Sequence, residues 1–235
     1  MGPLVDVQPE EPPAGFRGAV SAYAVPVRGS GEHIVFSNCE SGAVTLDRQA
    51  GRIARDGLGH YAFQLFQAGG QGVQRLCGGE THPGAGGMLA LDMRQPFRIR
   101  RGGYHALALF VPRSLVESRV ADPDGLHGRS VAGDAPLAAL AGDYLRLVAA
   151  SAGRMDAPQL QAALDAALHL VLGAMEPALP ASPELARARG AALFTRAQRC
   201  IAAHLLEPAL GPELLARHLA ISRSALYRLF APQAA

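Results

Sequence analysis

The chain has 235 residues, 49% of them hydrophobic, with 27 Gly, 17 Pro and a formal net charge of +2. That hydrophobic share can bury a core and excludes an intrinsically disordered chain. No run of about 18 apolar residues is present to span a bilayer, and Met1 to Gly15 is acidic and Pro-rich instead of basic then apolar, so a cytoplasmic protein with no membrane partner is expected.

The small net charge conceals an asymmetry. Residues 182–235 carry seven Arg against three acids, whereas residues 1–181 carry fifteen against seventeen. A polyanion would therefore bind at the C-terminal end, although an excess of four positive charges is modest for a DNA-binding segment. Cys39, Cys77 and Cys200 are odd in number and widely spaced, which suits neither a disulfide framework nor a paired-Cys zinc site, and they read as structural thiols.

From Gly15 to Arg129, short β-prone runs alternate with Gly or Pro clusters. The runs are His33 to Phe36, Tyr61 to Phe66, Met88 to Leu91, Phe97 to Arg100 and His105 to Val111. This spacing predicts an antiparallel sandwich or barrel over residues 15–130, and the glycine pairs at 69–70, 78–79, 86–87 and 102–103 read as hairpin turns. One chain without pairing register leaves open whether Tyr61 and Phe63 or Ala62 and Gln64 point inward.

Ala and Leu dominate from Pro136 onward, and two helices are expected within 134–176, Pro136 to Ala150 and Ala157 to Leu172, broken at Ser151-Ala152-Gly153. The first aligns Leu137, Leu140, Tyr144, Leu147 and Val148, and the second aligns Leu160, Leu164, Leu168 and Val171. Such stripes either pack on their own domain or form the seam of a homodimer. Pro177 to Pro183 reads as a linker, because proline lacks the amide donor and restricts the residue before it. Ser182 can cap a further helix, with Pro183 at its first position, continuing to about Leu206.

Leu210 to Phe230 reads LGPELLARHLAISRSALYRLF. Its first helix turns Leu215 and Leu219 inward, small Ala216 permits close approach, Ala220-Ile221 makes the turn, and Ser222 caps a second helix whose Leu226, Leu229 and Phe230 return to the core. The other face presents Arg223, Ser224, Tyr227 and Arg228, as a recognition helix does in a major groove. An ordinary helical hairpin with a solvated Arg face is the plainer alternative.

The run Ile201 to Leu205 followed by Leu210 to Phe230 resembles the first half of the AraC/XylS DNA-binding domain. Arg52 to Leu58, the strand after it, and Leu107 to Arg113 resemble, more loosely, the cupin-like sensing domain found at the N-terminus of such regulators. The resemblance implies an α+β protein: a cupin-like effector-sensing barrel over 15–130, a packing or dimerising helical hairpin over 134–176, and a helix-turn-helix domain over 182–235. It implies a transcription regulator that responds to a small effector, with DNA-contacting roles for Arg223, Ser224, Tyr227 and Arg228. Family members carry two helix-turn-helix units. The 235 residues hold the first alone, so weak promoter binding is expected, since affinity sums over neutralised phosphates.

Other classes fit less well. None of His33, His60, His82, His105, His127, His169, His204 and His218 lies two residues from another, and no HExxH or paired-Cys spacing occurs, so neither a metal nor another cofactor is expected. His60 and His105 read as core or pocket residues. No G-x-S-x-G elbow is present, and Gly69-Gly70-Gln71-Gly72 does not open a helix, so no enzyme is expected. The remaining alternative is a stand-alone sensing or dimerising module with a vestigial DNA-binding segment. The effector cannot be named from the sequence.

Overall fold

A computed structural model of the chain describes residues 5–10, 17–27, 29–69, 74–76, 79–81, 85–120 and 122–176, then 194, 197, 198, 200–202, 204, 205, 207, 210–219 and 223–230. The chain divides into two compact units, Met1–Glu176 and Pro177–Ala235.

The first unit is built on two antiparallel sheets. One orders its strands β1 (Asp6–Pro9), β4 (Val44–Arg48), β9 (Phe97–Arg101), β6 (Gln74–Leu76) and β7 (Gly79–Thr81). The other runs β11 (Ser130–Val131), β8 (Met88–Asp92), β5 (His60–Gly69), β10 (Tyr104–Pro112), β3 (His33–Ser41) and β2 (Gly18–Pro26). Five of these strands contain the apolar runs expected from the sequence. β1, β2, β4, β6, β7 and β11 were not foreseen: β6, β7 and β11 are two or three residues long, β2 is rich in small residues and mostly exposed, and β4 ends Asp47-Arg48. α1 (Ala50–Asp56) follows β4 and ends at Gly57, whose φ of 59° is the left-handed cap a glycine adopts without strain.

The central strands of the larger sheet, β8, β5 and β10, are buried on both faces, and pairing register assigns each residue to one of them. Tyr61, Phe63 and Leu65 of β5 join Leu107, Leu109 and Val111 of β10 and Ile34 and Phe36 of β3 in the cluster beneath the helices. Ala62 and Phe66 join Ala106, Leu89 and Leu91 in a second cluster with Val44, Leu46, Phe97 and Ile99 of the smaller sheet. The alternative left open by the sequence is thus resolved: Ala62 and Gln64 face the space between the sheets, and Tyr61 and Phe63 face the helices.

The helical layer is α3 (Pro136–Ser151), a 3-10 turn at Ala152–Arg154, and α4 (Ala157–Met175). Asp156 caps α4: its Oδ1 accepts from the Gln159 amide at 2.8 Å, and the Asp156 amide donates to Gln159 Oε1 at 3.1 Å. Leu160, Leu164, Leu168 and Val171 are all buried, so the stripe of α4 packs on its own sheet. α3 differs. Its buried face is Ala138, Ala141, Gly142, Leu145 and Val148, while Leu137, Leu140 and Leu147 are 40%, 54% and 66% exposed.

Three of the glycine pairs are not hairpin turns. Residues 69–70 lie between β5 and β6, 86–87 between β7 and β8, and 102–103 between β9 and β10, and each of these strand pairs straddles the two sheets. Such corners crowd the backbone more than a hairpin does: a Cβ at Gly69, where φ is 65°, would lie 2.0 Å from the Gly103 carbonyl oxygen. The fourth pair does sit between hydrogen-bonded neighbours, since Leu76 pairs with Gly79; Gly70, Cys77 and Gly78 lie outside the described residues.

In the second unit, α5 (Pro212–Leu219) and α6 (Arg223–Phe230) pack through buried Ala216, Leu219 and Leu226 with Ala197. Ala216 takes the close-approach position its size suggested. Phe230 meets Phe194 at 5.2 Å between ring centres while 42% of it stays exposed. The linker at 177–183, the capping Ser182 and the turn Ala220 to Ser222 lie outside the described residues.

Candidate functional site

Arg48, Arg101 and Arg113 of the first unit are largely withdrawn from water, and the fate of their charge distinguishes them. Burying an ion without a partner costs several kcal/mol, so an interior guanidinium needs an acceptor for its charge and its donors. Arg48, fully buried at the end of β4, has one: Nη1 and Nη2 donate to the two Asp56 carboxylate oxygens at 2.8 and 2.9 Å, and Nε donates to the Met93 carbonyl at 2.6 Å. Arg113, opening α2 (Arg113–Glu117), has three, donating to Asp92 at 2.6 Å, Glu117 at 2.7 Å and Asp124 at 2.9 Å while lying 5.0 Å from the Tyr61 ring centre.

Arg101, at the end of β9, is 1% exposed and pairs with no carboxylate among the described residues. Nη2 donates to Gln64 Oε1 at 2.7 Å, and Nε and Nη1 have no hydrogen-bond partner among the described residues. The guanidinium carbon sits 4.7 Å from the Phe66 ring centre and 5.3 Å from that of Tyr104, whose hydroxyl also interacts with the guanidinium and supports its charge. Burial pulls its pKa down to about 10, which still leaves it charged at neutral pH. Burial also pushes the Tyr104 phenol upward, and Cys39 Sγ lies 3.9 Å from that phenol oxygen.

Register shows what adjoins this group. Across the inward face of the larger sheet, Gln64 of β5 stands opposite Ala108 of β10, which stands opposite Ser37 of β3, which stands opposite Ala22 of β2. No side chain in that row between Gln64 and the sheet edge is larger than serine. The flanking rows are bulkier, with Phe66, Ala106, Cys39 and Val20 on one side and Ala62, Phe110, Val35 and Ala24 on the other. The row spans about 14 Å over three strand spacings, from the exposed edge strand to the carboxamide that holds Arg101, and its Ser37 and Ala108 are buried. At the strand ends, a groove of about 510 Å³ is lined by Arg17, Glu40, Tyr104 and His105 among others, so Tyr104 borders both the groove and the arginine.

The strand histidines serve structural ends. His105 Nε2 lies 2.6 Å from Asn38 Oδ1 and 3.1 Å from Gln67 Nε2 on the helix side of the sheet. His60 is half-buried and burial lowers its pKa; burial lowers that of His127 as well, whose Nδ1 accepts from the Asp92 amide at 3.1 Å. Among the described residues, no three His, Cys, Asp or Glu side chains are grouped to hold a metal. Cys39 and Cys200 are free thiols, and Cys77 and His82 lie outside the described residues.

All four residues singled out at the C-terminal end lie on α6. Arg223 opens the helix and Tyr227 follows one turn later, 58% exposed; the side chains of Ser224 and Arg228 lie outside the described set. Arg223 Nη1 pairs with Glu213 of α5 at 2.8 Å, an exposed contact that sequence reading did not foresee.

Arg48 and Arg101 were also missed, although a signal was present. In Phe97-Arg98-Ile99-Arg100-Arg101, period-two alternation puts Arg101 on the face of Phe97 and Ile99, and in Val44-Thr45-Leu46-Asp47-Arg48 it puts Arg48 with Val44 and Leu46. A charged residue on the apolar phase of a strand marks a buried ion.

Residues 13–176 match the family described as AraC-binding-like domain. The crystal structure of the AraC-like transcriptional activator CuxR superposes with a TM-score of 0.64 at 22% identity, covering 98% of this chain and 81% of that one. At this identity the likeness is one of fold. No curated protein matches the chain in sequence. No helix among the described residues is long and apolar enough to cross a membrane.

The Arg48–Asp56 pair makes a direct prediction. Asp56→Ala leaves a buried guanidinium without its carboxylate and should lower unfolding stability by about 2–4 kcal/mol in urea titrations. The Arg48 hydrogen bonds hold the Asp56 pKa below its ordinary 3.8. The pair's contribution is therefore complete above that value and is lost as pH falls through the lower folded one, so the deficit of the variant should shrink in strong acid.

Proposed function

From the premise that this chain belongs to the AraC-binding-like domain family, we propose that it is a transcription regulator whose N-terminal unit binds a small effector between its two sheets and whose C-terminal helices contact promoter DNA. The observation that carries this reading is the match over residues 13–176, which makes the chain an AraC-family regulator with a cupin-like sensing domain. Family and fold neighbour alike are of regulators, which supports a binding function over catalysis. The sensing region is the sandwich over 15–130, the helices of 134–176 serve packing and association, and residues 182–235 supply the helix-turn-helix.

DNA contact falls to Arg223, Ser224, Tyr227 and Arg228. α6 presents Arg223 and Tyr227 to solvent one turn apart, a spacing that suits phosphate and base-edge donors. Arg223 must release Glu213 to reach a phosphate, but an exposed pair is worth at most about 1 kcal/mol, so DNA competes for it easily. Fluorescence anisotropy on promoter and scrambled fragments tests the role. Affinity should fall as salt rises; Arg228→Ala should weaken it and reduce the salt slope by about one if that residue grips a phosphate. Glu213→Gln should strengthen it by roughly two- to fivefold. Absence of binding even at low salt would instead indicate a stand-alone sensing module with a vestigial segment.

The partner proposed for α3 is a second copy of the chain. Leu137, Leu140 and Leu147 are the exposed large hydrophobics of this helix, and with half-buried Tyr144 they follow the 3-and-4 spacing of a helix–helix seam. Sedimentation should show a dimer at micromolar concentration, and Leu140→Glu with Leu147→Glu should give soluble monomers. A native monomer at that concentration would refute the seam.

A further inference from the structure

We infer that Cys39 is a modification site: a thiol placed to be oxidised to sulfenic acid by a small hydroperoxide, with Arg101 and Tyr104 positioned to stabilise the departing oxygen. The inference goes beyond the regulatory reading, since it needs neither an effector nor DNA.

The sequence suggests a structural thiol at this position, and three observations set Cys39 apart from one. First, it is partly exposed, whereas a thiol that serves packing alone belongs among the most buried residues. It stands on β3 opposite Ala106 of β10 and opposite Val20 of the edge strand β2, which is itself 70% exposed. Second, its sulfur has polar neighbours. Sγ lies 3.9 Å from the Glu40 carbonyl oxygen and 3.9 Å from the Tyr104 hydroxyl. Burial pushes the Tyr104 phenol up to about 12, so at neutral pH it keeps its proton and can donate. Tyr104 also borders the groove of about 510 Å³ at the strand ends, which brings solvent to this cluster.

Third, the same hydroxyl interacts with Arg101, and Arg101 and Cys39 lie within electrostatic reach of one another. Arg101 is 1% exposed and gives Nη2 to Gln64, while Nε and Nη1 have no hydrogen-bond partner among the described residues. Two donors of a buried cation are thus left without acceptors close to a nucleophilic atom. Positioned donors of this kind stabilise an oxygen anion that forms beside them, and they do so strongly where water is excluded. A partly exposed thiol in electropositive surroundings has the environment of a reactive cysteine.

The chemistry that uses all three groups is attack on a peroxide bond. The Cys39 thiolate bonds to one peroxide oxygen as the O–O bond breaks, so sulfur loses two electrons and the peroxide gains them. The second oxygen leaves as an anion, to which Arg101 and Tyr104 donate, and it ends as water or an alcohol by taking up the proton the thiol has lost. Cys39 is left as sulfenic acid. Hydrogen peroxide has two heavy atoms, which suits a sulfur that its neighbours partly cover.

The experiment uses the whole reduced chain of 235 residues. Hydrogen peroxide is added at neutral pH, dimedone traps sulfenic acid, and mass spectrometry of peptides assigns the label to Cys39, Cys77 or Cys200. Cys39 should be labelled at a rate roughly tenfold or more above that of free cysteine in the same buffer. Alkylation by iodoacetamide, which releases iodide instead of an oxygen anion, is measured in parallel. Arg101→Met should lower the ratio of peroxide rate to alkylation rate at Cys39 by roughly tenfold. Should that variant fail to fold, Tyr104→Phe keeps the ring, removes the hydroxyl alone and should lower the same ratio by about threefold. A Cys39 that goes unlabelled, or that reacts no faster than free cysteine, would overturn the inference. An unchanged ratio in the folded variants would overturn it too, because Arg101 and Tyr104 would then govern only access to the sulfur or its ionisation.

Discussion

The central strands of the larger sheet are buried on both faces, and the rest of the first unit follows from that constraint. Odd-numbered residues of β5 and β10 hold the helical layer, while even-numbered ones face the smaller sheet. Leu65 and Phe66 are successive residues, yet one belongs to the core beneath α3 and the other flanks Arg101. The two faces are thus separated by a single layer of backbone, and close packing leaves little slack between them.

The same constraint explains why so few charges are tolerated inside and why those present are informative. Interior positions accept an ion where a neighbouring element can bring an acid to it. α1 does this for Arg48 by presenting Asp56, and the turn after α2 does so for Arg113 through Asp124. At Arg101 the strands of the facing sheet present glutamine and aromatic rings. Among the described residues, no carboxylate meets Arg101 as Asp56 and Asp124 meet the other two.

Much of the fold was legible because Gly and Pro punctuate strands of the right length, and the two helices of the first unit were legible from their leucine spacing. What failed has physical causes. A sheet apolar on both faces loses the alternation that would reveal its orientation, so Tyr61 and Ala62 could not be assigned before register was known. The edge strand β2 is too poor in large side chains to stand out, and β4 alternates apolar residues with Asp and Arg. Glycine pairs mark a change of direction without saying whether the next strand returns to the same sheet, and three of them lead to the other one. The apolar stripe of α3 was visible, but spacing could not show that alanines, not leucines, face the core. The site was the least legible part, since Arg101 becomes conspicuous only when its partners can be compared with those of Arg48.

The account depends on the first unit holding its buried arginines in two different ways. The most direct measurement is a crystal structure of the 235-residue chain. The account predicts Arg48 on the two carboxylate oxygens of Asp56, and Arg101 on the Gln64 carboxamide beside the Phe66 and Tyr104 rings. An Asp or Glu of the chain on Arg101, or Asp56 turned away from Arg48, would contradict it.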